Sequence, residues 1–340
     1  MTRTALTIDV VIPLLNEECV LPALRKRLLA SIATLGFSCR FLFVDDGSTD
    51  KTFSLLKQFH SEDQRFVTIK LSRNFGHQQA IATGLGFTRS DVVLIMDADL
   101  QDPPEMVEEM YSLWQDGYDV VYTVRRTRKG NVLKRICYYL YYRILKAVSD
   151  TEIPLDSGDF CLLDRRVVSV LNALPERTRF MRGLRSWVGF RQARLEFDRE
   201  TRVAGEPRYS LPKLFRLALD GILNFSKVPL RLASLSGLAA VLFGILYLSY
   251  VGLTWMMDAT IPRGFISLAV LIIFFGGVQL LSIGIIGEYV GQVFDEVKRR
   301  PLTVVSECVG LRGFDLLDGD DRQQPELVSF WAGKDDLSPS

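Results

Sequence analysis

Asp91–Asp102 reads DVVLIMDADLQD, and this stretch decides the fold. Asp91–Met96 is a short apolar run rich in β-formers, and it ends abruptly in Asp97, Asp99, Gln101 and Asp102. Carboxylates just past the end of such a strand lie where open α/β sheets bind their ligands. Two of them one residue apart can bracket a hard divalent cation, which prefers oxygen ligands and shares its shell with substrate phosphates. The same residues would also make an ordinary solvated acidic turn, so the flanking sequence has to decide.

Working outward, Leu6–Leu15 is a second β-rich run, followed by Asn16-Glu17-Glu18 and a helical pattern to about Leu35. Phe41–Val44 is a third strand, ending at Asp45-Asp46-Gly47-Ser48, and Phe66–Leu71 and Val120–Val124 are two more. Helical patterns separate them, so the first part of the chain alternates strand and helix. That predicts an α/β fold: a Rossmann-like, open, mostly parallel sheet whose acidic clusters share one edge. Carboxylates there can hydrogen-bond a base and ribose. No GxGxxG follows the first strand and no GxxxxGK[ST] occurs, which disfavours nicotinamide and P-loop enzymes.

The 340 residues carry a formal net charge of +1, giving no global attraction to nucleic acid or anionic lipid. Hydrophobic content of 48% beside 24% charged residues implies a soluble part joined to a very apolar one. Five scattered cysteines with no CxxC spacing point to reduced thiols rather than zinc or a disulfide framework. The only histidines are His60 and His77, which makes a histidine-ligated metal improbable. The first apolar run lacks the basic start and cleavage site of a signal peptide.

The apolar part is near the C-terminus. Residues 232–257 and 264–287 hold no charged side chain over 26 and 24 residues, against the ~20 that cross a bilayer core. Lys227 and Arg231 flank the first stretch and Lys298-Arg299-Arg300 follow the second, so the positive-inside rule predicts a hairpin with both ends in the cytoplasm. Residues 211–227 read as an amphipathic helix at the membrane surface. Residues 131–149 read either as such a helix or as an ordinary packed one. The last ~30 residues are polar and predict a loosely ordered tail.

In this order, Pro13-x-x-Asn16-Glu17, Asp45-Asp46-Gly47-Ser48 and Asp97-x-Asp99-x-Gln101 resemble family 2 glycosyltransferases of the GT-A fold. Leu155–Phe160, Arg179–Gly183, Arg202-x-x-Gly205-Glu206-x-Arg208-Tyr209 and Gly287-Glu288-Tyr289-x-Gly291 extend the likeness. Together they resemble polyprenyl-phosphate glycosyltransferases, similar to bactoprenol glucosyltransferases and more distantly to dolichyl-phosphate mannose synthase.

The resemblance implies roles for particular residues. Pro13, Glu17 and Asp46 would hold the nucleoside, with Ala98 beside the donor. Asp97, Asp99 and Gln101 would surround Mg2+ or Mn2+ and the diphosphate, and Arg125 would reach a donor phosphate. Arg135, Arg202 and Arg208 would grip the lipid phosphate. Asp156 and Asp159 are the remaining catalytic candidates, as sugar-orienting groups, a weak base or turn caps. Two departures stand out: Cys161 where the family usually has arginine, and Arg208 where lysine is frequent.

The implied organisation is a cytoplasmic GT-A domain over 1–210, an interfacial helix over 211–231, two transmembrane helices over 232–290 and a cytoplasmic tail over 291–340. The expected activity moves a hexose, glucose first, from a UDP-sugar to undecaprenyl phosphate at the inner face of the cytoplasmic membrane, for surface glycans such as O-antigen. UDP-N-acetylglucosamine, a UDP-aminopentose and GDP-mannose are alternative donors. The partners are the nucleotide sugar, the lipid phosphate and the membrane, not nucleic acid; small residues in the spans allow close helix packing, and the resemblance implies a homo-oligomer such as a tetramer. A processive synthase is disfavoured by the missing QxxRW motif, and a transporter by spans without an ionisable interior residue. A scaffold with a vestigial transferase domain is the reading from another class.

Overall fold

In the computed structural model, all five strands expected from the sequence form, most with ends moved by a few residues. The structure describes residues 7–31, 36, 38–125, 157–176, 179–197, 228–256, 264–298, 300–311 and 330–331. The helices expected over 131–149 and 211–227 lie outside that set, as do Arg135, Asp156, Arg202 and Arg208.

The chain runs β1 (Thr7–Leu14), α1 (Leu21–Ser31), β2 (Ser38–Asp45), α2 (Thr52–Glu62), β3 (Phe66–Leu71), α3 (His77–Gly86), β4 (Val92–Ile95), α4 (Val107–Gln115) and β5 (Val120–Arg125). It continues with β6 (Ser157–Asp164), α5 (Arg165–Ala173), α6 (Met181–Trp187) and β7 (Gln192–Phe197). Two long helices follow, α7 (Val228–Met256) and α8 (Phe265–Val297), and then the strands β8 (Val304–Val309) and β9 (Phe330–Trp331).

The strands and α1–α6 form one unit, and α7 with α8 another. The sheet order is β7-β5-β6-β4-β1-β2-β3-β8-β9. β4, β1, β2 and β3 are mutually parallel, and β6 enters antiparallel between β4 and β5. The chain therefore moves outward from β1 in both directions, and the crevice of an open α/β sheet opens at such a reversal. Because β6 runs against β4, its first residues lie beside the carboxyl end of β4, with Cys161 opposite Ile95.

Alternate side chains of the central strands feed two separate cores. Ile8, Val10 and Ile12 pack with Leu21, Leu24 and Leu28 of α1, Leu56 of α2 and Met110 of α4. Val11, Val44 and Val93 pack with Ile81 and Leu85 of α3, Val168 of α5 and Leu184 of α6. Burial on both faces explains why these strands are continuous apolar runs rather than alternating ones. On the second face, α3 approaches very closely through Gly84, where an added Cβ would lie 2.4 Å from Val11 Cγ1.

β8 was not anticipated; the sequence reading assigned its residues to the tail. It pairs antiparallel with β3, Leu71 opposite Val305 and Lys70 opposite Glu307, and Thr303 Oγ1 lies 2.7 Å from Thr83 Oγ1 of α3. In the other unit, α7 and α8 pack on each other, with the Phe243 and Phe274 rings 6.4 Å apart. Most of their large apolar side chains face outward, including Leu248 at 73% and Ile273 at 74% exposure. Both are long and apolar enough to cross a membrane.

Candidate active site

The first two strand-end loops are zipped together by short polar side chains. Asn16 N–H donates to Ser48 Oγ at 2.9 Å, and Asn16 Oδ1 accepts Thr49 N–H at 2.9 Å. Glu17 N–H donates to Thr52 Oγ1, and Glu18 accepts Lys51 N–H. Asn16 takes a left-handed backbone, φ 55°, which asparagine tolerates better than most residues. Pro13 is buried in β1 opposite Val44.

Asp45 and Asp46 divide their work. Asp45 Oδ1 accepts Ser48 N–H at 2.8 Å and closes the turn, while its Oδ2 is buried without a hydrogen-bond partner. Asp46 accepts Phe75 N–H at 2.7 Å and Gly76 N–H at 2.9 Å, so both of its oxygens hold the loop that leads into α3. Burial raises both carboxyl pKa values, against the pull of these donors. Gly47 is required between that loop and β2: its φ is +76°, and a Cβ would lie 2.6 Å from the Arg73 carbonyl carbon.

After β4 the chain turns sharply. Asp97 N–H donates to Asp102 Oδ2 at 3.2 Å, and Gln101 N–H donates to Asp99 Oδ1 at 3.1 Å. Ala98, expected beside the donor, has its side chain buried in the core cluster with Leu100. Gln101 Oε1 is buried without a hydrogen-bond partner, and Asp97 Oδ1 accepts no hydrogen bond but faces the His77 ring at 3.4 Å. An orphaned amide oxygen beside two carboxylates in one acidic loop suits a hard cation, which prefers oxygen ligands. Among the described residues no three His, Cys, Asp or Glu side chains converge as a ready metal cage. A cation held by Asp97, Asp99 and Gln101 would complete its shell with phosphate oxygens or water.

Asp159, at the start of β6, faces this loop. It receives Arg182 Nε at 2.9 Å, Arg182 Nη2 at 2.8 Å and Gln78 Nε2 at 3.2 Å. Burial alone would raise this carboxyl, but the Arg182 charge and its paired hydrogen bonds, with His77, hold it well below the usual range. Asp159 is therefore ionised and a poor proton acceptor. Gln78 ties α3 to α6 as well, because its Oε1 accepts Met181 N–H at 2.9 Å.

His77 Nε2 lies 3.4 Å from Asp97 Oδ1 and 3.5 Å from Asp159 Oδ2. Partial burial opposes its protonation, yet the two carboxylates outweigh this and raise its pKa to about 9. Burial also lifts the Asp97 carboxyl, with His77 opposing. Sequence reasoning assigned no role to His77, Gln78 or Arg182. The signal available was slight: one of only two histidines, directly after an aromatic-glycine pair.

Cys161 is buried beside Arg185, whose guanidinium lies 5.0 Å from the Tyr122 ring centroid and donates to the Gly158 carbonyl at 3.3 Å. A guanidinium from α6 thus occupies the neighbourhood of the position where the resemblance led us to expect one. Arg125 ends β5 opposite Phe197, and its side chain is outside the described set.

The model for glycosyl transferase family 2 matches residues 9–171, which carry all of these loops. An uncharacterized glycosyltransferase of Synechocystis is 42% identical over 306 residues, covering 89% of this chain and 96% of its own length. The chain belongs to glycosyltransferase family 2. The bactoprenol glucosyl transferase of Shigella phage SfII is 36% identical to this transferase over 301 residues, covering 88% of it and 97% of the phage protein. Among solved structures, the glucosyl-3-phosphoglycerate synthase of Mycobacterium tuberculosis overlays with a TM-score of 0.46 at 18% identity, over 64% of this chain and 76% of that one.

Proposed function

We propose that this transferase moves a hexose, glucose first, from a UDP-sugar to polyprenyl phosphate at the cytoplasmic face of the membrane. One observation carries the reading: the acidic loop with its orphaned Gln101 oxygen shares a chain with two apolar helices of membrane-crossing length. The extent of the likeness to a bactoprenol glucosyl transferase, 88% of this chain, supports it.

The chemistry suits the residues present. A phosphate monoester has its second pKa near 6 and is largely dianionic at neutral pH. Its oxygen attacks the anomeric carbon while the bond from that carbon to the diphosphate breaks, and the electron pair leaves with the nucleotide. No proton needs removing from the nucleophile, so an ionised, arginine-clamped Asp159 is no handicap. Asp97, Asp99 and Gln101 would hold Mg2+ or Mn2+, which would supply positive charge to a departing diphosphate. Pro13 and Glu17 bound the nucleoside; Asp46, expected beside them, serves it through the 75–76 loop because both of its oxygens already accept N–H groups there, and Arg125 reaches a donor phosphate. Arg135, Arg202 and Arg208 receive the lipid phosphate, a task for which a planar guanidinium is suited.

α7 and α8 form a transmembrane hairpin in this reading, with the transferase unit and both chain ends in the cytoplasm. The sugar-lipid would supply surface glycan modification, and a homo-oligomer, such as a tetramer, would assemble through the helices. The test is transfer from labelled UDP- and GDP-sugars to undecaprenyl phosphate in detergent, with and without Mg2+ or Mn2+, beside Asp99→Ala. Metal-dependent label in the lipid with UDP-glucose, lost in the variant, is expected. A folded protein that transfers from no donor would favour the scaffold instead.

A further inference from the structure

Leu100 has a left-handed backbone, φ +59°. For a bulky L-residue this conformation is an outlier, because Cβ crowds the following carbonyl oxygen, and its population falls on the order of tenfold. The strained residue sits between Asp99 and Gln101, and strain of this kind persists only where its surroundings over-determine it.

Three contacts do so here. The Leu100 side chain is 5% exposed and belongs to the buried cluster that includes Leu21, Leu24 and Leu28 of α1 and Val107 and Met110 of α4. Its carbonyl accepts Arg27 Nη1 at 3.4 Å, and Arg27 is itself held by Glu105 through Nε at 2.9 Å and Nη2 at 3.0 Å. Gln101 N–H then closes the turn on Asp99 Oδ1. Were Leu100 to relax to negative φ, the peptide leading to Gln101 would rotate and that bond would break.

We propose that Leu100 is the positioning residue of this loop: by burying its side chain it locks the backbone left-handed and so fixes Gln101 against Asp99. The binding consequence rests on the reading of Asp99 and Gln101 as cation ligands; the backbone consequence does not.

The experiment uses the full chain in detergent and two pairs of variants. Leu100→Gly and Leu100→Ala both delete the buried anchor, but only glycine adopts positive φ without penalty. Leu100→Met and Leu100→Ile both keep an apolar anchor of leucine's volume, but a β-branched residue is the least tolerant of this backbone. Mn2+ binding is measured by electron paramagnetic resonance without donor or acceptor, and amide exchange is followed in peptides covering 97–106.

Glycine is expected to bind Mn2+ on the order of tenfold more tightly than alanine, and methionine more tightly than isoleucine. The amides are expected to be better protected in the same order. Packing alone predicts the opposite for the first pair, since alanine leaves the smaller cavity, and near-equality for the second, since both residues match leucine in volume. Alanine equal to or better than glycine, with isoleucine equal to methionine, would overturn the proposal. If the shortened pair fails to fold, the methionine–isoleucine pair decides. If no form binds Mn2+, the cation reading fails, and the exchange order alone decides the role of Leu100.

Discussion

At the scale of single residues, the site is a lattice of charges rather than a row of independent groups. Asp159 receives three hydrogen bonds from α3 and α6, and His77 stands between it and Asp97. Removing Arg182 would leave buried Asp159 with only Gln78 and His77 to hold its charge, a loss of about 2 kcal/mol once the partial exposure of the arginine is discounted. The sign with pH follows from the direction of the shift. The folded-state pKa of Asp159 lies below its unfolded value, so its contribution is present above pH ~4 and is lost as pH falls through the folded value. Melting of the wild type and Arg182→Met against pH should show a wide gap at neutrality that narrows below pH ~4. A gap independent of pH would mean that the arginine acts through packing alone.

The same scale shows what a sequence can disclose. Asp45, Asp46, Asp97 and Asp99 were legible because each sits at the end of an apolar strand, where the fold collects its ligands. His77, Gln78 and Arg182 were not, because their meaning lies in partners from other segments: Gln78 and Asp159 are 81 residues apart. The carboxylate and the groups that tune it become neighbours only when β6 inserts beside β4.

At the scale of elements, period and length located the strands, while pairing between distant segments escaped. β8 reads as part of a polar tail because its partner is remote; Ser306 bonds the Lys70 carbonyl across 236 positions. It covers β3, which would otherwise present open backbone groups at the sheet edge. The packing of α3 is more demanding than its sequence suggests. Replacing Gly84 by alanine gains about 1 kcal/mol of helix propensity, but the new methyl would lie 2.4 Å from Val11 Cγ1 and 3.0 Å from Val44 Cγ2. Overpacking costs about 1–3 kcal/mol, so Gly84→Ala should lower the melting temperature by a few degrees. An unchanged or raised value would show that α3 can shift away from the sheet at no cost.

At the scale of the molecule, a transferase unit and a pair of apolar helices share one chain. Composition made that division visible, since 48% hydrophobic and 24% charged residues do not mix evenly into one soluble domain. Outward-facing leucines and isoleucines on α7 and α8 would be an aggregation hazard in water and are suited to lipid. The full chain should stay in the membrane pellet through an alkaline carbonate wash and be released by detergent. Release by carbonate would place the helices on the surface rather than across the bilayer.

The measurement closest to the chemistry is the anomeric configuration of the lipid-linked sugar made from an α-linked UDP-hexose, read by proton coupling constants. Direct attack by the lipid phosphate in one displacement predicts a β-linked product. An α-linked product would contradict that displacement and require either an intermediate on the enzyme or a different order of bond making and breaking.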